Sequence, residues 1–336
     1  MKVLVVGAGL IGARHVERVR AHPRCALAGI VEPNADVLAD GPEVYRSIDA
    51  VDTEVDAAIC AVPTQLHASL GAQCAARGWS VLMEKPVAET QSEADALIAA
   101  CKDVSLLVGH HRRHHPFVQK TKALLQDGAI GDLVAVSGIW AVRKPDGYFD
   151  GNWRAGAAGS PISINMVHDL DLLRFMIGEV TEVTGCLSDA VRRRGVEDTG
   201  AIVLRFDTEA LGAFVTTDAG ASPWGFEAGS GENPGIAYSG QDCYRFIGTK
   251  GSLGFPSMTL WEGAQDWSQP QSSRKIEVGP VNPLDAQLDH LCDVVQNGAT
   301  PLSGGEDARK TLALVETVMA LGGRNGSTDA GSDRRL

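Results

Sequence analysis

The stretch Val3-Leu4-Val5-Val6-Gly7-Ala8-Gly9-Leu10-Ile11-Gly12-Ala13-Arg14-His15-Val16-Glu17-Arg18-Val19 decides the fold. An apolar run goes straight into a glycine turn and leaves it as a charged, helix-forming segment, so it reads as strand, tight turn and helix. The glycines stand at G-x-G-x-x-G spacing: Gly7 permits the turn, Gly9 lets backbone approach a pyrophosphate, and Gly12 lets the helix lie close on the strand. Phosphate would rest at the helix N-terminus around Leu10 and Ile11, where unpaired N–H groups and the helix dipole favour an anion.

A second apolar run, Ala26-Leu27-Ala28-Gly29-Ile30-Val31, ends in Glu32. Folds of this kind place a carboxylate there to accept hydrogen bonds from the adenosine ribose. Glu32 would repel a 2′-phosphate, and Pro33-Asn34 supplies no arginine to neutralise one, so NAD is expected over NADP.

Working outward, 336 residues are long for one core and suggest about two domains. A hydrophobic content of 44% with 21% charged residues is that of a globular protein, and a net charge of −12 argues against nucleic acid as a partner. No apolar run reaches the roughly 18 residues of a membrane-spanning helix. The expected setting is the cytoplasm, with no membrane partner. The seven cysteines are dispersed, with no C-x-x-C pair, and read as reduced structural thiols.

Strand and helix continue to alternate after Glu32. Strands are expected at 55–62, 80–83 and 104–109, with helices at about 64–77 and 92–100. This makes an α/β doubly wound parallel sheet over residues 1–117. Beyond Pro116 successive strand-like runs at about 180–187, 201–206, 213–217 and 244–247 follow one another mostly without helices. Residues 118–322 are therefore expected to form an α+β domain with an antiparallel sheet, and 323–336 a frayed tail. The segment 220–240, rich in glycine, reads as a mobile lid or a subunit contact.

Ligands of an open parallel sheet bind beyond the carboxyl ends of its strands. The residues there are Pro63 and His67, then Glu84-Lys85-Pro86, then His110-His111-Arg112-Arg113. A lysine beside a nicotinamide can polarise a substrate hydroxyl, and a cis bond before Pro86 is one way of aiming Lys85. In the second half, Asn165, His168 and Asp171 lie three apart beside an apolar helical stripe of Met166, Leu170, Leu173 and Ile177. Histidine is the side chain suited to moving a proton near neutral pH.

Taken together, GAGLIG, Glu84-Lys85-Pro86 and the helix His168-Asp169-Leu170-Asp171-Leu172-Leu173-Arg174 resemble the glucose-fructose oxidoreductase, inositol dehydrogenase and MocA (Gfo/Idh/MocA) family of NAD(P)-dependent oxidoreductases. The resemblance spans about residues 1–322. It implies a Rossmann domain, a second domain with an open, mainly antiparallel sheet, and hydride transfer at a sugar or polyol carbon. It also implies dimers or tetramers built on those sheets, and Lys85 and His168 as the catalytic pair. Many inositol dehydrogenase-like members carry an Asp four residues before the catalytic His; here that place is Ile164, and Asn165 follows it.

The run from His110 to His115 contains two i, i+4 histidine pairs but lacks the Glu of H-E-x-x-H, so no metal is expected. Arg112 or Arg113 is expected to border the substrate, together with Asn165 and Asp171. The loop 144–154, with Tyr148, Trp153 and Arg154, suits a polyhydroxylated ring with apolar faces. Gly7, Gly9, Leu10, Ile11, Gly12 and Glu32 would hold the dinucleotide, helped by Pro63, His67, Glu84 and Lys85. The expected activity is an NAD-dependent dehydrogenase acting on a sugar, cyclitol or related secondary alcohol. The alternatives are a dihydrodiol dehydrogenase of the same family and a non-catalytic NAD-binding sensor.

Overall fold

The computed structural model describes residues 1–34, 43–150, 153–156 and 159–322. The expected tail at 323–336 lies outside the described residues. Two compact units emerge: 1–115 with 280–313, and 116–279 with the described residues from 314 onward.

The first unit opens with β1 (Lys2–Val6), α1 (Leu10–Ala21), β2 (Ala26–Val31), β3 (Val44–Tyr45), β4 (Ala57–Cys60), α2 (His67–Ala76), β5 (Ser80–Met83), α3 (Gln91–Ala100) and β6 (Leu106–Val108). Its six strands lie in the order β3-β2-β1-β4-β5-β6, all parallel. This is the doubly wound order in which the strand sequence reverses beside β1, the crevice where such sheets take their ligands. β4 is buried at all four positions, as its continuous apolar run requires of a strand covered on both faces. Local chemistry sets the helix ends. Thr90 and Glu93 form a capping box at the start of α3, and Gly78, at φ +76°, takes the left-handed position after α2.

The second unit contains α4 (Pro116–Gln126), β7 (Leu133–Ala141), α5 (Val167–Met176), β8 (Val180–Ser188), β9 (Thr199–Phe206), β10 (Leu211–Thr217), α6 (Phe226–Ser230), β11 (Tyr244–Gly248), β12 (Gly251–Phe255), β13 (Thr259–Glu262) and β14 (Ser272–Lys275). Eight strands run in the order β14-β13-β12-β11-β7-β10-β9-β8. Every neighbouring pair is antiparallel except β7 and β10, which are parallel. Alternation gives the sheet two faces. Trp140, Ile202, Leu204, Phe206, Phe214, Tyr244 and Phe246 are buried in one core with Leu170, Leu172 and Leu173 of α5. The opposite face carries Val203, Leu211, Val215, Ile247 and Trp261, each between 41% and 49% exposed. Register puts Val203 opposite Ala213 and Val215 opposite Ile139, so apolar residues lie side by side on this face, with Ser137 opposite Ala213 and Arg205 opposite Leu211 among them.

Three features depart from expectation. Strands β12 to β14 are absent from the sequence reading because Gly251, Gly254, Ser272 and Arg274 break up their apolar pattern. The segment 220–240 contains α6, whose Phe226 is fully buried and whose Glu227 accepts a 2.8 Å hydrogen bond from the Trp140 indole, so its centre is packed into the core. The third is the chain's return. α7 (Pro283–Asn297) puts Leu288, Leu291 and Val294 into one cluster with Val3, Val5, Val19 and Ile30. The segment 280–313 thus belongs to the first unit, where the sequence reading had 118–322 as one domain. Amphipathic spacing shows that a helix has a buried face, not which core receives it. α8 (Gly305–Met319) adds Ala308 and Leu312 to the first unit and Leu314, Val315 and Val318 to the second.

Candidate active site

The glycine turn is built as the spacing requires. Gly7 sits at φ +94°, and a Cβ there would lie 2.5 Å from the Ala61 carbonyl oxygen. A Cβ on Gly12 would lie 2.1 Å from the Gly7 carbonyl oxygen, so the helix closes directly onto the turn. Around Gly9 the opposite holds: a Cβ would meet nothing within 4 Å. Gly9 caps α1 without a side-chain hydrogen bond, the first turn holds no acidic residue, and Arg18 and Arg20 lie in the last. The N–H groups at Leu10, Ile11 and Gly12 thus start a helix whose dipole favours an anion and whose mouth is open. Leu10 is 79% exposed beside it. Half-buried Glu32 accepts a 2.9 Å bond from Ala8 N–H on one oxygen and a 3.0 Å bond from Asn34 N–H on the other. Each oxygen retains a lone pair for a ribose hydroxyl. This donor and acceptor set fits a dinucleotide.

Beyond β5, the Glu84-Lys85-Pro86 turn has a cis Lys85–Pro86 bond and is braced on both sides. On one side, Glu84 Oε1 lies 2.8 Å from Nε2 of His15 on α1, with both side chains almost wholly buried. Gly109 makes room for the carboxyl group, since a Cβ there would stand 3.1 Å from it. Burial pushes the Glu84 pKa up, but the hydrogen bond and charge of His15, with the charges of His111 and Lys85, outweigh it and hold the value at about 2. On the other side, His67 lies with Nδ1 2.8 Å from the Pro86 carbonyl and Nε2 3.0 Å from that of Val62. Burial holds its pKa below the usual histidine range in spite of both carbonyls. A neutral ring donates to only one of them. His67 is 1% exposed, and Pro63, four residues earlier, is exposed at the end of β4. Lys85 itself is half-buried.

Residues 111–114 form a 3₁₀ turn, so their histidines do not share one face of an α-helix. Arg113 donates to the Leu302 carbonyl at 2.9 Å and pairs with Asp307 at 2.5 Å, within the first unit. Its guanidinium fastens the returning segment. Arg112 is buried at 4% exposure in the same turn. Burial pushes His114 down to about 3, helped by His290, whose ring centroid lies 5.3 Å away. Elsewhere in this unit one ligand atom each from His22, Cys25 and Cys292 comes within 4.8 Å of the others, and Arg24 pairs with Asp289 and Asp293 alongside.

In the second unit, Ile162–Met166 form a π-helical turn that runs directly into α5. Such turns widen a helix by one residue and re-aim the side chains that follow. Asn165 sits in it, and its buried Oδ1 has no hydrogen-bond partner. His168 is 8% exposed and Asp171 1%, so α5 carries its polar residues inside. Asp169, between them, accepts a hydrogen bond from the Tyr244 hydroxyl.

Among the described residues of 144–155 are two 3₁₀ turns, Asp146–Phe149 and Trp153–Ala155. Arg154 stands 4.9 Å from the Tyr148 ring centre, and Lys144 stands 5.1 Å from it. The Trp153 side chain lies outside the described ones. A Cβ on Gly159 would fall 1.9 Å from the Arg154 carbonyl oxygen, so Arg154 is packed against the residues that open the π-helical turn.

His15 is absent from the site expected from sequence. Its signal was its place on the first helix, three residues after the last glycine of the motif. Arg192 and Arg194 are also absent, because charged residues about 50 positions from the loop that opens at Lys144 carry no sign of meeting it.

The comparisons bear on the family and the fold. Residues 1–111 match the family described as oxidoreductase family, NAD-binding Rossmann fold, and residues 118–254 match the GFO/IDH/MocA C-terminal domain. The chain is 29% identical over 217 residues to inositol 2-dehydrogenase of Rhizobium meliloti strain 1021, covering 60% of this chain and 64% of that relative's length. It is 27% identical over 340 residues to the rhizopine catabolism protein MocA of Rhizobium meliloti, covering 98% of each. Among solved structures, an oxidoreductase from Agrobacterium radiobacter in complex with NAD+, L-tartaric acid and magnesium superposes with a TM-score of 0.79. It shares 19% identity over 98% of both chains, a likeness of fold. No helix among the described residues is long and apolar enough to cross a membrane.

Proposed function

We propose, from the premise that this chain belongs to the GFO/IDH/MocA oxidoreductase family, that it is an NAD-dependent dehydrogenase oxidising a secondary alcohol of a sugar, cyclitol or related polyol. The observation that carries the reading is the braced turn at Lys85. Glu84 is pinned by His15 and the Pro86 carbonyl meets His67, so the lysine between them leaves the carboxyl end of β5 from a fixed backbone.

The bound cofactor supplies the hydride acceptor. The open N-terminus of α1 holds its pyrophosphate, and Glu32 holds the adenosine ribose and disfavours a 2′-phosphate. Lys85 donates a hydrogen bond to the substrate hydroxyl and stabilises the oxygen as its proton leaves, while His168 takes that proton. Asn165 Oδ1 accepts from a neighbouring hydroxyl. An Asn cannot relay a proton, so Asn165 is assigned to holding the substrate and not to moving its proton. Arg112, Asp171, Tyr148 and Arg154 complete the substrate contacts, and His67 and Glu84 position Lys85. Arg113 is assigned to holding the returning segment.

The relatives support a polyol class: they include proteins named inositol 2-dehydrogenase and levoglucosan dehydrogenase. The apolar outer face of the second sheet supports a homodimer or homotetramer, and seven free cysteines accord with a cytoplasmic setting. NADH absorbance with purified protein, NAD or NADP, and a panel of sugars, cyclitols, sugar acids and aromatic dihydrodiols tests the reading. Turnover of a polyol with NAD is expected. Preference for aromatic diols would make it a dihydrodiol dehydrogenase, and NAD binding without any turnover would make it a sensor.

A further inference from the structure

Four cations of the second unit gather over two adjacent rings. Tyr148 and Phe149 lie 5.1 Å apart. Lys144 and Arg154 stand over the first ring, and Arg192 and Arg194 over the second at 4.7 and 3.7 Å. In a chain of net charge −12 such a concentration is a local reversal of sign. The carboxylates among them are already engaged. Asp218, wholly buried, takes Arg192 Nε at 2.8 Å and lies 3.6 Å from Lys144 Nζ. Asp146 takes Arg192 and Arg143. Asp198 accepts from the Val191 and Arg192 amides and the Thr199 hydroxyl.

Arg194 is served differently. Its Nη1 reaches the Arg154 carbonyl at 3.4 Å, but Nε and Nη2 are buried with no hydrogen-bond partner. Lys144, with its side chain nine-tenths buried, also has no hydrogen-bond partner on Nζ. Nε and Nη2 together form the edge of a guanidinium that meets two oxygens of one planar group. Arg174 in this same unit shows that pairing, with Nε and Nη2 at 2.8 and 2.9 Å from the two oxygens of Glu179. Leaving such donors buried and unmet is costly unless something arrives to meet them.

We propose that the Nε–Nη2 edge of Arg194, with Lys144 and the Tyr148 and Phe149 rings, is a subsite for the carboxylate of a sugar acid. This rests on the dehydrogenase reading and narrows its substrate to an acidic polyol. The rings offer an apolar wall to the sugar's C–H face while the two cations take its carboxylate.

The test is isothermal titration of the NAD-loaded protein with D-glucuronate, D-glucose and D-glucose 6-phosphate, with turnover of each followed separately by NADH absorbance. Glucuronate is expected to bind at least about tenfold more tightly than glucose, the size of a charge-assisted bidentate contact. Arg194→Gln is expected to erase that difference and Arg194→Lys to retain only part of it. Arg274→Gln, on exposed β14, should keep it whole, and melting curves check that each variant is folded. Equal binding of glucose and glucuronate, no binding of any of the three at millimolar concentration, or an undiminished preference in Arg194→Gln overturns the subsite. Tighter binding of the phosphate ester than of glucuronate overturns the choice of carboxylate. Binding of glucuronate without turnover of any sugar would overturn the dehydrogenase and leave the subsite standing; turnover of glucose without glucuronate preference would do the reverse.

Discussion

His15 and Glu84 meet inside the first unit, Nε2 to Oε1 at 2.8 Å, and tie the helix after the glycine turn to the strand end that carries Lys85. Removing one member of a buried pair leaves the other uncompensated, which typically costs about 3–5 kcal/mol. Glu84→Ala is expected to lower the melting temperature sharply and to weaken NAD binding with it. Glu84→Gln, which keeps a partner for His15, should recover much of the stability. Thermal melts with and without NAD check both.

Acid should unfold the first unit in two overlapping steps. Burial holds His114 at about 3, below its ordinary 6.5, so its contribution is complete above pH 6.5 and is lost as the pH falls towards 3. Glu84 at about 2 adds stability that is complete above its ordinary 4.5 and is lost as the pH falls towards 2. Both groups therefore act in the same direction. Denaturant midpoints measured from pH 7 to pH 3 should fall throughout, and His114→Phe should flatten the upper half of that fall.

Lys85→Met and His168→Gln separate chemistry from binding. Each is expected to bind NAD as the wild type does, by titration of the protein with NAD, and to lose roughly 10²- to 10⁴-fold in kcat. A Lys85→Met variant with wild-type turnover would remove the lysine from the mechanism.

Glu32 has two tasks that one substitution exposes. Glu32→Ser removes the charge facing a 2′-phosphate and also releases the Ala8 and Asn34 amides. The ratio of kcat/KM for NAD to that for NADP should drop at least about tenfold, the equivalent of roughly 1.4 kcal/mol. Most of the drop should come from a higher KM for NAD.

The outer face of the second sheet predicts assembly. Val215 and Val203 lie on the neighbouring strands β10 and β9 with 41% and 49% of their surface exposed. Charging the centre of an apolar interface costs several kcal/mol. Val215→Arg is expected to convert an oligomer to monomers in light scattering after gel filtration. A monomeric wild type would show that this face serves something else.

The parts legible in sequence were those fixed by local chemistry. Gly7, Gly9 and Gly12 each answer to a separate contact or opening that the spacing implies, and Pro86 follows a cis bond. The places of the buried strands followed from apolar runs, but β4 and β6 are each about half as long as the runs at 55–62 and 104–109 that announced them. What stayed hidden was set by distance along the chain. Arg113 read as a substrate contact because nothing near it in sequence shows Leu302 or Asp307, which occupy its guanidinium. The π-helical turn before α5 was hidden too, since Ser163, Ile164 and Asn165 suit an ordinary helix equally well.

The return of α7 has a bearing on the order of synthesis. Leu288, Leu291 and Val294 fill the same cluster as Val3, Val5 and Ile30, so nearly three hundred residues of chain separate two halves of one hydrophobic core. A ribosome would release the nucleotide-binding half of the molecule with one side of its sheet covered only in part, by α1, and would have to finish the whole intervening unit before supplying the rest of the cover. Chains cut short near residue 280 should therefore collect as aggregates even though every residue of the glycine turn is present.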